Sequence, residues 1–305
     1  MVPSFIQEET TGKNISASSY WVPNIDNGFQ NERCPSETLP IRRTKKQDLV
    51  NARYLLQKKI NPNRTNNYGS TSSPKDYHFV SVEELSQGKA YYGAAALISA
   101  HKLELNLKQF STAQAYPAIF EDNYSRLMGY WTVDCGKQPG CFNVLCYGFV
   151  QVHEQVFLGS VLGQTSTYGK HAFDLPARVY RDSTTGNWWL MFNVIIGYWP
   201  AEIFTHLADN ASVVRYGGIA GAEPQTETPP MGNGYLPQLQ DYTKTSFIRK
   251  MKYIDDKGQL ANINPDRVQS KHDANLDCYN ILFVGNLGGD WEMAMTYGGP
   301  GGMCS

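Results

Sequence analysis

Residues 186–204 read GNWWLMFNVIIGYWPAEIF, and this stretch decides the fold. The run Trp188–Ile196 is rich in the aromatic and β-branched residues that favour strands, and it follows the turn-forming stretch Ser183–Asn187. After the run, proline at a first helical position and an acidic residue in the first turn predict a short helix over Pro200–Asp209. We therefore expect a strand with a turn on one side and a short helix on the other.

Similar short apolar runs, broken by Gly, Asn, Asp and Pro, continue from about residue 76 to the end of the chain. The other predicted strands are Ala90–Ala100, Ser125–Val133, Gly148–Leu158, Ala177–Arg181, Ser246–Ile254 and Tyr279–Val284. This pattern predicts a mainly β domain over residues 76–305, and the expected packing is an antiparallel β-sandwich of two sheets.

The first 75 residues have a different composition. A helix is predicted over Lys46–Lys58, where apolar residues recur at near-helical spacing among charged ones. A polar stretch rich in turn formers follows at about residues 60–75, and we interpret it as a linker. The chain therefore divides into a short, partly helical segment, residues 1–75, and the β domain, residues 76–305.

The composition excludes several classes of function. The 305 residues include 27 Lys and Arg against 28 Asp and Glu, a net charge of −1, so neither nucleic acid nor membrane is an expected partner. No apolar stretch approaches the length of about 18 residues that a membrane helix needs, and the N-terminus lacks the regions of a signal peptide. Phosphate-loop, dinucleotide and zinc-site motifs are also absent, so we expect neither cofactor nor metal.

The cysteines and sequons favour an exported protein. None of the six cysteines forms a Cys-x-x-Cys pair, which favours disulfides over a zinc site and leaves a cytosolic protein with free thiols as the alternative. Sequons at Asn14, Asn63, Asn123 and Asn210 are candidate glycosylation sites.

Longer strings occur in a family-specific order. They include CPSETLPIRRT at 34–44, GCFNVLC at 140–146, GYWPAEIF at 197–204, MGNG at 231–234 and YGGP at 297–300. With these strings the chain resembles the neprosin family, plant-type secreted glutamic peptidases that cleave at proline. The resemblance implies an activation peptide ahead of the β-sandwich and an extracellular location. It also implies the disulfides Cys141–Cys146 and Cys278–Cys304, which leave Cys34 and Cys135 free or paired to each other.

The resemblance further implies two glutamates that face each other across a groove. One, protonated, polarises the scissile carbonyl, and the other, ionised, activates a water molecule. Ile219, in the string YGGI at 216–219, stands at the second position. The strand that should carry the first glutamate is missing before residues 121–127, and in an alternative register Phe110 stands there. We therefore expect no catalytic residue and an impaired member of the family.

The expected role of such a protein is binding without turnover, with proline-rich peptides or cell-wall proteins as partners. The candidate groove residues are Tyr216, Gly217, Gly218, Ile219 and Trp131. The aromatics that could stack on proline rings are Tyr116, Trp131, Tyr216 and Trp199, although core packing is the role that we favour for each.

Two alternatives stay open. One is an active acid-pH glutamic endopeptidase that uses displaced carboxylates, with Glu104, Glu121, Asp122, Glu223 and Glu227 as candidates. The other is a glycan-binding β-sandwich, for which Gly186–Trp189 is the place where exposed tryptophans would meet sugars.

Overall fold

The computed structural model describes residues 3, 38–39, 41, 43–57, 77–85, 88–112, 117–134, 140–223 and 225–304. Its strands are β1 (Tyr77–Leu85), β2 (Gly93–Ser99), β3 (Gln109–Ser111), β4 (Tyr130–Trp131), β5 (Cys141–Phe142), β6 (Val150–Gln151), β7 (Asp174–Arg181), β8 (Trp188–Phe192), β9 (Val194–Trp199), β10 (Val213–Ala222), β11 (Ser246–Ile254), β12 (Leu260–Asn262), β13 (Val268–His272), β14 (Asn280–Asn286) and β15 (Met293–Gly298). Its helices are α1 (Lys46–Gln57) and α2 (Pro117–Phe120), with single 3-10 turns at Ala201–Ile203 and Pro265–Arg267.

Two antiparallel sheets form the body of the protein. A four-stranded sheet has the order β13-β1-β10-β3, and a nine-stranded sheet has the order β14-β15-β11-β2-β7-β8-β9-β6 with β12 paired to β11. Val80 and Tyr216 of the smaller sheet pack with Met251 and Tyr297 of the larger one in the main hydrophobic core. The predicted antiparallel β-sandwich is confirmed.

The helix predicted in the N-terminal segment is also present, as α1, and it contacts α2 and β5. Of the apolar residues that suggested this helix, Ala52 is buried, whereas Leu49 and Val50 are 47% and 51% exposed; Asp48 is buried as well. The Asp48 carboxylate accepts the backbone N–H of Lys45 at 2.9 Å, which satisfies a donor at the start of the helix. None of the helices in these described ranges has the length and apolarity that a bilayer crossing requires.

The stretch 186–204 differs from its prediction in two ways. Trp188–Ile196 is not one strand, because Asn193 adopts a φ of 58° and reverses the chain between β8 and β9. Asparagine tolerates this left-handed conformation better than most residues. The helix predicted over Pro200–Asp209 is a single 3-10 turn, since Phe204 is buried with extended backbone angles and ends it.

Two other predicted strands are mostly irregular. Ser125–Val133 and Gly148–Leu158 contribute only the two-residue strands β4 and β6. In the first, the side chain of Asn143 accepts the N–H of Gly129 at 2.8 Å, and the Asn143 N–H donates to the Gly129 carbonyl at 2.7 Å. A turn residue thus supplies the partners that a neighbouring strand would otherwise provide.

Candidate functional site

Four of the predicted groove residues, Tyr216 to Ile219, are consecutive in β10, which lies between β1 and β3. Successive side chains of a strand point to opposite faces of the sheet. Tyr216 and Gly218 accordingly face the nine-stranded sheet, whereas Ile219 packs on the outer face. The four residues therefore do not line one surface.

Tyr216 and Gly218 belong to the main core. The Tyr216 hydroxyl donates to the Lys252 carbonyl at 2.7 Å, and burial raises the pKa of this tyrosine well above its ordinary value. A side chain on Gly218 would collide with Met231 and Tyr297. Core packing, the role favoured for Tyr216 from the sequence, is the role that it has in the structure.

Both backbone groups of Ile219 are hydrogen-bonded to Thr112. Its N–H donates to Thr112 Oγ1 and its carbonyl accepts the Thr112 N–H, each at 2.7 Å. Its side chain packs in an apolar group that we call the Ile219 cluster: Tyr77, Phe110, Ile119, Phe120, Met128, Tyr130, Phe142, Leu145 and Ile219. The position expected to carry the second glutamate is therefore part of a hydrophobic contact.

Phe110 lies in the same cluster. It pairs with Gly221, two residues from Ile219 on the same face of β10, and is 1% exposed. In the register that assigns Phe110 to the first glutamate position, both expected acids are hydrophobic side chains of one cluster. None of the nine cluster members carries a carboxyl group.

Trp131, the fifth predicted groove residue, is not brought to Ile219. It belongs to a second hydrophobic cluster, where its ring meets that of Phe204 edge to face with centroids 6.4 Å apart. Its neighbour Tyr130 points to the other side of the β4–β5 hairpin and joins the Ile219 cluster. Alternation along β4 thus places Tyr130, and not Trp131, beside the expected catalytic positions.

The remaining aromatic candidates are buried or lie outside the described residues. Trp199 is 7% exposed and packs edge to face on Phe149, with centroids 4.8 Å apart. Trp188 and Trp189 are 5% and 0% exposed, so the proposed glycan site at Gly186–Trp189 presents neither ring to solvent. Tyr116 is outside the described ranges.

The displaced carboxylates do not converge on the cluster. Three of them form ion pairs: Glu104 with Lys102 at 3.1 Å, Asp122 with Arg126 at 2.6 Å, and Glu223 with Lys108 at 2.8 Å. Glu121 and Glu227 are exposed. None of the five is a member of the Ile219 cluster, which favours the interpretation of these residues as surface and turn acids.

Sequence reasoning missed two buried glutamates, Glu83 and Glu84, which are 1% and 2% exposed in β1. Burial alone would raise the pKa of Glu83, but hydrogen bonds and charges from Lys271 and Arg215 lower it below its ordinary value. Arg215 Nε donates to the Glu83 carboxylate at 2.9 Å, and Lys271 forms an ion pair with the other oxygen. Burial raises the pKa of Glu84.

One glutamate with a lowered pKa beside one with a raised pKa superficially resembles the base and acid of a glutamic peptidase. Glu83 and Glu84 are adjacent in a strand, however, so their side chains lie on opposite faces of the sheet. One substrate cannot meet both. The alternation of residues along β1 was the signal that could have located them. It puts Glu84 on the face of Val80 and Val82, and Glu83 on the face of Phe79 and Ser81.

Both expected disulfides are present, Cys141–Cys146 and Cys278–Cys304. Cys34 and Cys135 lie outside the described residues. Within the ranges that the structure describes, no three His, Cys, Asp or Glu side chains are grouped so that they could hold a metal ion.

The two described sequons differ in their surroundings. The Asn123 side-chain oxygen accepts the N–H of Leu105 at 2.9 Å, which ties the amide into the fold. Asn210 is partly exposed in the connection that precedes β10. Asn14 and Asn63 fall outside the described part of the chain.

The neprosin family profile, described as Neprosin, matches residues 97–300. The matched span starts within β2, ends after β15 and contains both Phe110 and Ile219. It covers more than half of the chain, and it includes the β10 strand and the disulfide-linked Cys141–Cys146 turn. The chain belongs to the neprosin family.

Proposed function

We propose that this protein is a secreted member of the neprosin family that binds proline-rich peptides without cleaving them. The observation that carries the proposal is the Ile219 cluster, in which Ile219 stands where the second carboxyl is expected and Phe110 where the alternative register expects the first. An acid and a base are both needed to polarise a carbonyl and to activate water. Neither side chain can exchange a proton.

The positions of the other carboxylates argue against catalysis by them. A displacement of about 1 Å in a catalytic group can cost about a hundredfold in rate. The displaced carboxylates lie in ion pairs or at the surface, and Glu83 and Glu84 occupy opposite faces of β1. The proposal therefore favours binding over the alternative of an active peptidase.

The outer face of the four-stranded sheet suits a proline-rich ligand. Phe79 is partly exposed opposite Ile219, and Gly217, two residues away in β10, is partly exposed as well. Gly217 is required there because a side chain would approach the Val80 carbonyl of β1 far too closely. An extended polyproline segment keeps its shape without internal hydrogen bonds and docks on aromatic and apolar surfaces of this kind. Export is supported by the two disulfides.

The test combines turnover with binding. A quenched proline-containing peptide is incubated from about pH 2 to pH 7 with the protein, with an Ile219→Glu variant and with buffer alone. Binding of a labelled proline-rich peptide is measured for the protein, for Phe79→Ala and for Tyr147→Ala, a control at a fully exposed aromatic residue. We expect no cleavage above buffer, and binding that Phe79→Ala weakens and Tyr147→Ala leaves unchanged.

Two results would overturn the proposal. Cleavage at acid pH that disappears in Glu223→Gln or Glu227→Gln would establish a peptidase with displaced acids. Equal binding of a peptide whose prolines are replaced by alanine would show that proline is not recognised.

A further inference from the structure

The outer face of the nine-stranded sheet carries an exposed group of aromatic and leucine side chains. Ile248 of β11 packs in the core between the two sheets, so its neighbours Phe247 and Arg249 lie on the face that points away from the smaller sheet. Connections between strands add large apolar residues beside this face, and we call them the Tyr235 surface: Tyr168, Tyr235, Leu236, Leu239, Tyr242 and Trp291. Large apolar residues that are exposed together, and not singly, commonly mark an interaction site.

The rings of the Tyr235 surface are held in place by one another. Tyr242 stacks on Trp291 with ring centroids 3.9 Å apart, and both rings meet the buried ring of Phe247 edge to face. Tyr168 stacks on Tyr235 with ring centroids 4.3 Å apart. A ligand would therefore meet rings that are already ordered, which lowers the entropic cost of binding.

A backbone hydrogen bond joins the two stacks into one surface. The Gly169 N–H donates to the Thr243 carbonyl at 2.9 Å, and these two residues directly follow Tyr168 and Tyr242 in the chain. The stack of Tyr168 on Tyr235 and the stack of Tyr242 on Trp291 are therefore neighbours in space.

The chemistry of the Tyr235 surface suits a polyproline segment. Tyr168 and Tyr235 are 48% and 53% exposed, and neither hydroxyl is hydrogen-bonded within the part of the chain that the structure describes, so both can donate to a ligand. A polyproline segment packs its rings on aromatic side chains and presents backbone carbonyls that accept hydrogen bonds. None of the six residues of the surface lies in a strand, so the surface offers no strand edge to which a β-strand ligand could add.

The charges beside the rings select the ligand further. Lys244 pairs with Asp241 at 3.1 Å. Lys170, which follows Gly169, is exposed and has no carboxylate partner among the residues described. An acidic group in the ligand would balance this charge, because complementary charges at the rim of an interface favour the matching partner.

We infer that the Tyr235 surface is a second binding surface of this protein, and that it takes a proline-rich peptide segment that carries an acidic residue. The inference rests on the proposed function for the class of ligand. It uses none of the residues on the outer face of the four-stranded sheet, so the two surfaces can be tested apart.

The experiment uses the full chain and two labelled oligoproline peptides with blocked ends, one with glutamate as its last residue and one with lysine. The affinity of each is measured for the natural protein, for Tyr235→Ala and for Lys170→Glu. The matched controls are Tyr147→Ala, at a fully exposed aromatic residue, and Lys257→Glu, at an exposed lysine, both outside the Tyr235 surface.

We expect Tyr235→Ala to weaken binding of the glutamate peptide about tenfold, as removal of a central aromatic contact does. Lys170→Glu should weaken binding of the glutamate peptide about fivefold and strengthen binding of the lysine peptide. Both control variants should bind like the natural protein.

Several results would overturn the inference. Binding that Phe79→Ala abolishes and Tyr235→Ala leaves unchanged would confine the peptide to the smaller sheet and leave the proposed function standing. Equal effects of Lys170→Glu on the two peptides would remove the acidic residue from the ligand. Self-association in sedimentation experiments that Tyr235→Ala abolishes would make a second copy of the chain the occupant. Absence of binding to every protein tested would overturn both this inference and the proposed function.

Discussion

His101 gives the stability of this protein a defined dependence on pH. The residue follows β2, is 5% exposed, and its Nε2 lies 3.0 Å from Ser99 Oγ. Burial lowers the pKa of His101 from 6.5 to about 4. Exchange of His101 for glutamine keeps a neutral polar side chain of similar length and removes the titration.

The sign follows from proton linkage. The unfolded chain binds a proton at His101 below its ordinary pKa of 6.5, while the folded chain resists protonation until about pH 4. Stability is therefore lost as the pH falls from about 6.5 to about 4. With 1.36 kcal/mol for each pKa unit, the loss attributable to His101 is about 2 kcal/mol at pH 5 and about 3 kcal/mol at pH 4.

The assay is urea unfolding followed by tryptophan fluorescence at pH 7, 6, 5 and 4, for the natural protein and for His101→Gln. We expect the difference in unfolding free energy between the two proteins to shift by about 2–3 kcal/mol in favour of the variant between pH 7 and pH 4. Carboxylates common to both proteins cancel in this difference. Parallel curves over the whole range would refute the burial argument, and the result also fixes the pH at which an activity assay still contains folded protein.

Three further predictions concern the disulfide, a buried acid and a glycan. The Cys278–Cys304 bond closes 26 residues, so its replacement by two serines should lower the unfolding free energy by about 3.5 kcal/mol in urea; a loss below about 1 kcal/mol would contradict the chain-entropy account. Burial raises the pKa of Glu84, so its ionisation destabilises the fold as the pH rises through its unfolded pKa, 4.5. Glu84→Gln should therefore flatten the dependence of the unfolding free energy on pH between pH 4 and pH 7, and an unchanged dependence would contradict burial as the cause. In protein secreted from eukaryotic cells, mass spectrometry should find a glycan on Asn210 and not on Asn123, whose side-chain oxygen is engaged within the fold; the reverse occupancy would show that the Asn123 turn opens before folding is complete.

The strands that the sequence predicts best are those whose residues form a continuous buried run. Ser246–Ile254 was predicted with the bounds that β11 has, because both faces of this strand are largely covered. β10 was not predicted, since two consecutive glycines lower its strand propensity. The need for these glycines is visible only in the structure. A side chain at Gly217 would collide with β1, and a side chain at Gly218 would collide with the core.

The candidate site was only partly accessible to sequence reasoning. The resemblance placed Ile219 at the second acid position and, in the alternative register, Phe110 at the first, but nothing in the sequence indicated that both belong to one cluster. The face on which Trp131 lies depends on the pairing of two-residue strands, and such short strands have no periodicity to read. Glu83 was missed because a charged residue in a strand ordinarily indicates the solvent side, whereas here Arg215 and Lys271 balance its charge in a buried place.

Packing in the Ile219 cluster also explains why restoring one glutamate, or even two, should not restore catalysis. Glutamates at Ile219 and Phe110 would both lie among aromatic and aliphatic side chains, and burial there would raise both pKa values. Two protonated carboxyls supply an acid but no base. A base would need a cation to hold its proton off, yet on this face of the sheet Arg215 and Lys271 are already bound to Glu83. Recovery of the chemistry therefore requires a redistribution of charge across β1, β10 and β13 in addition to the two carboxyls.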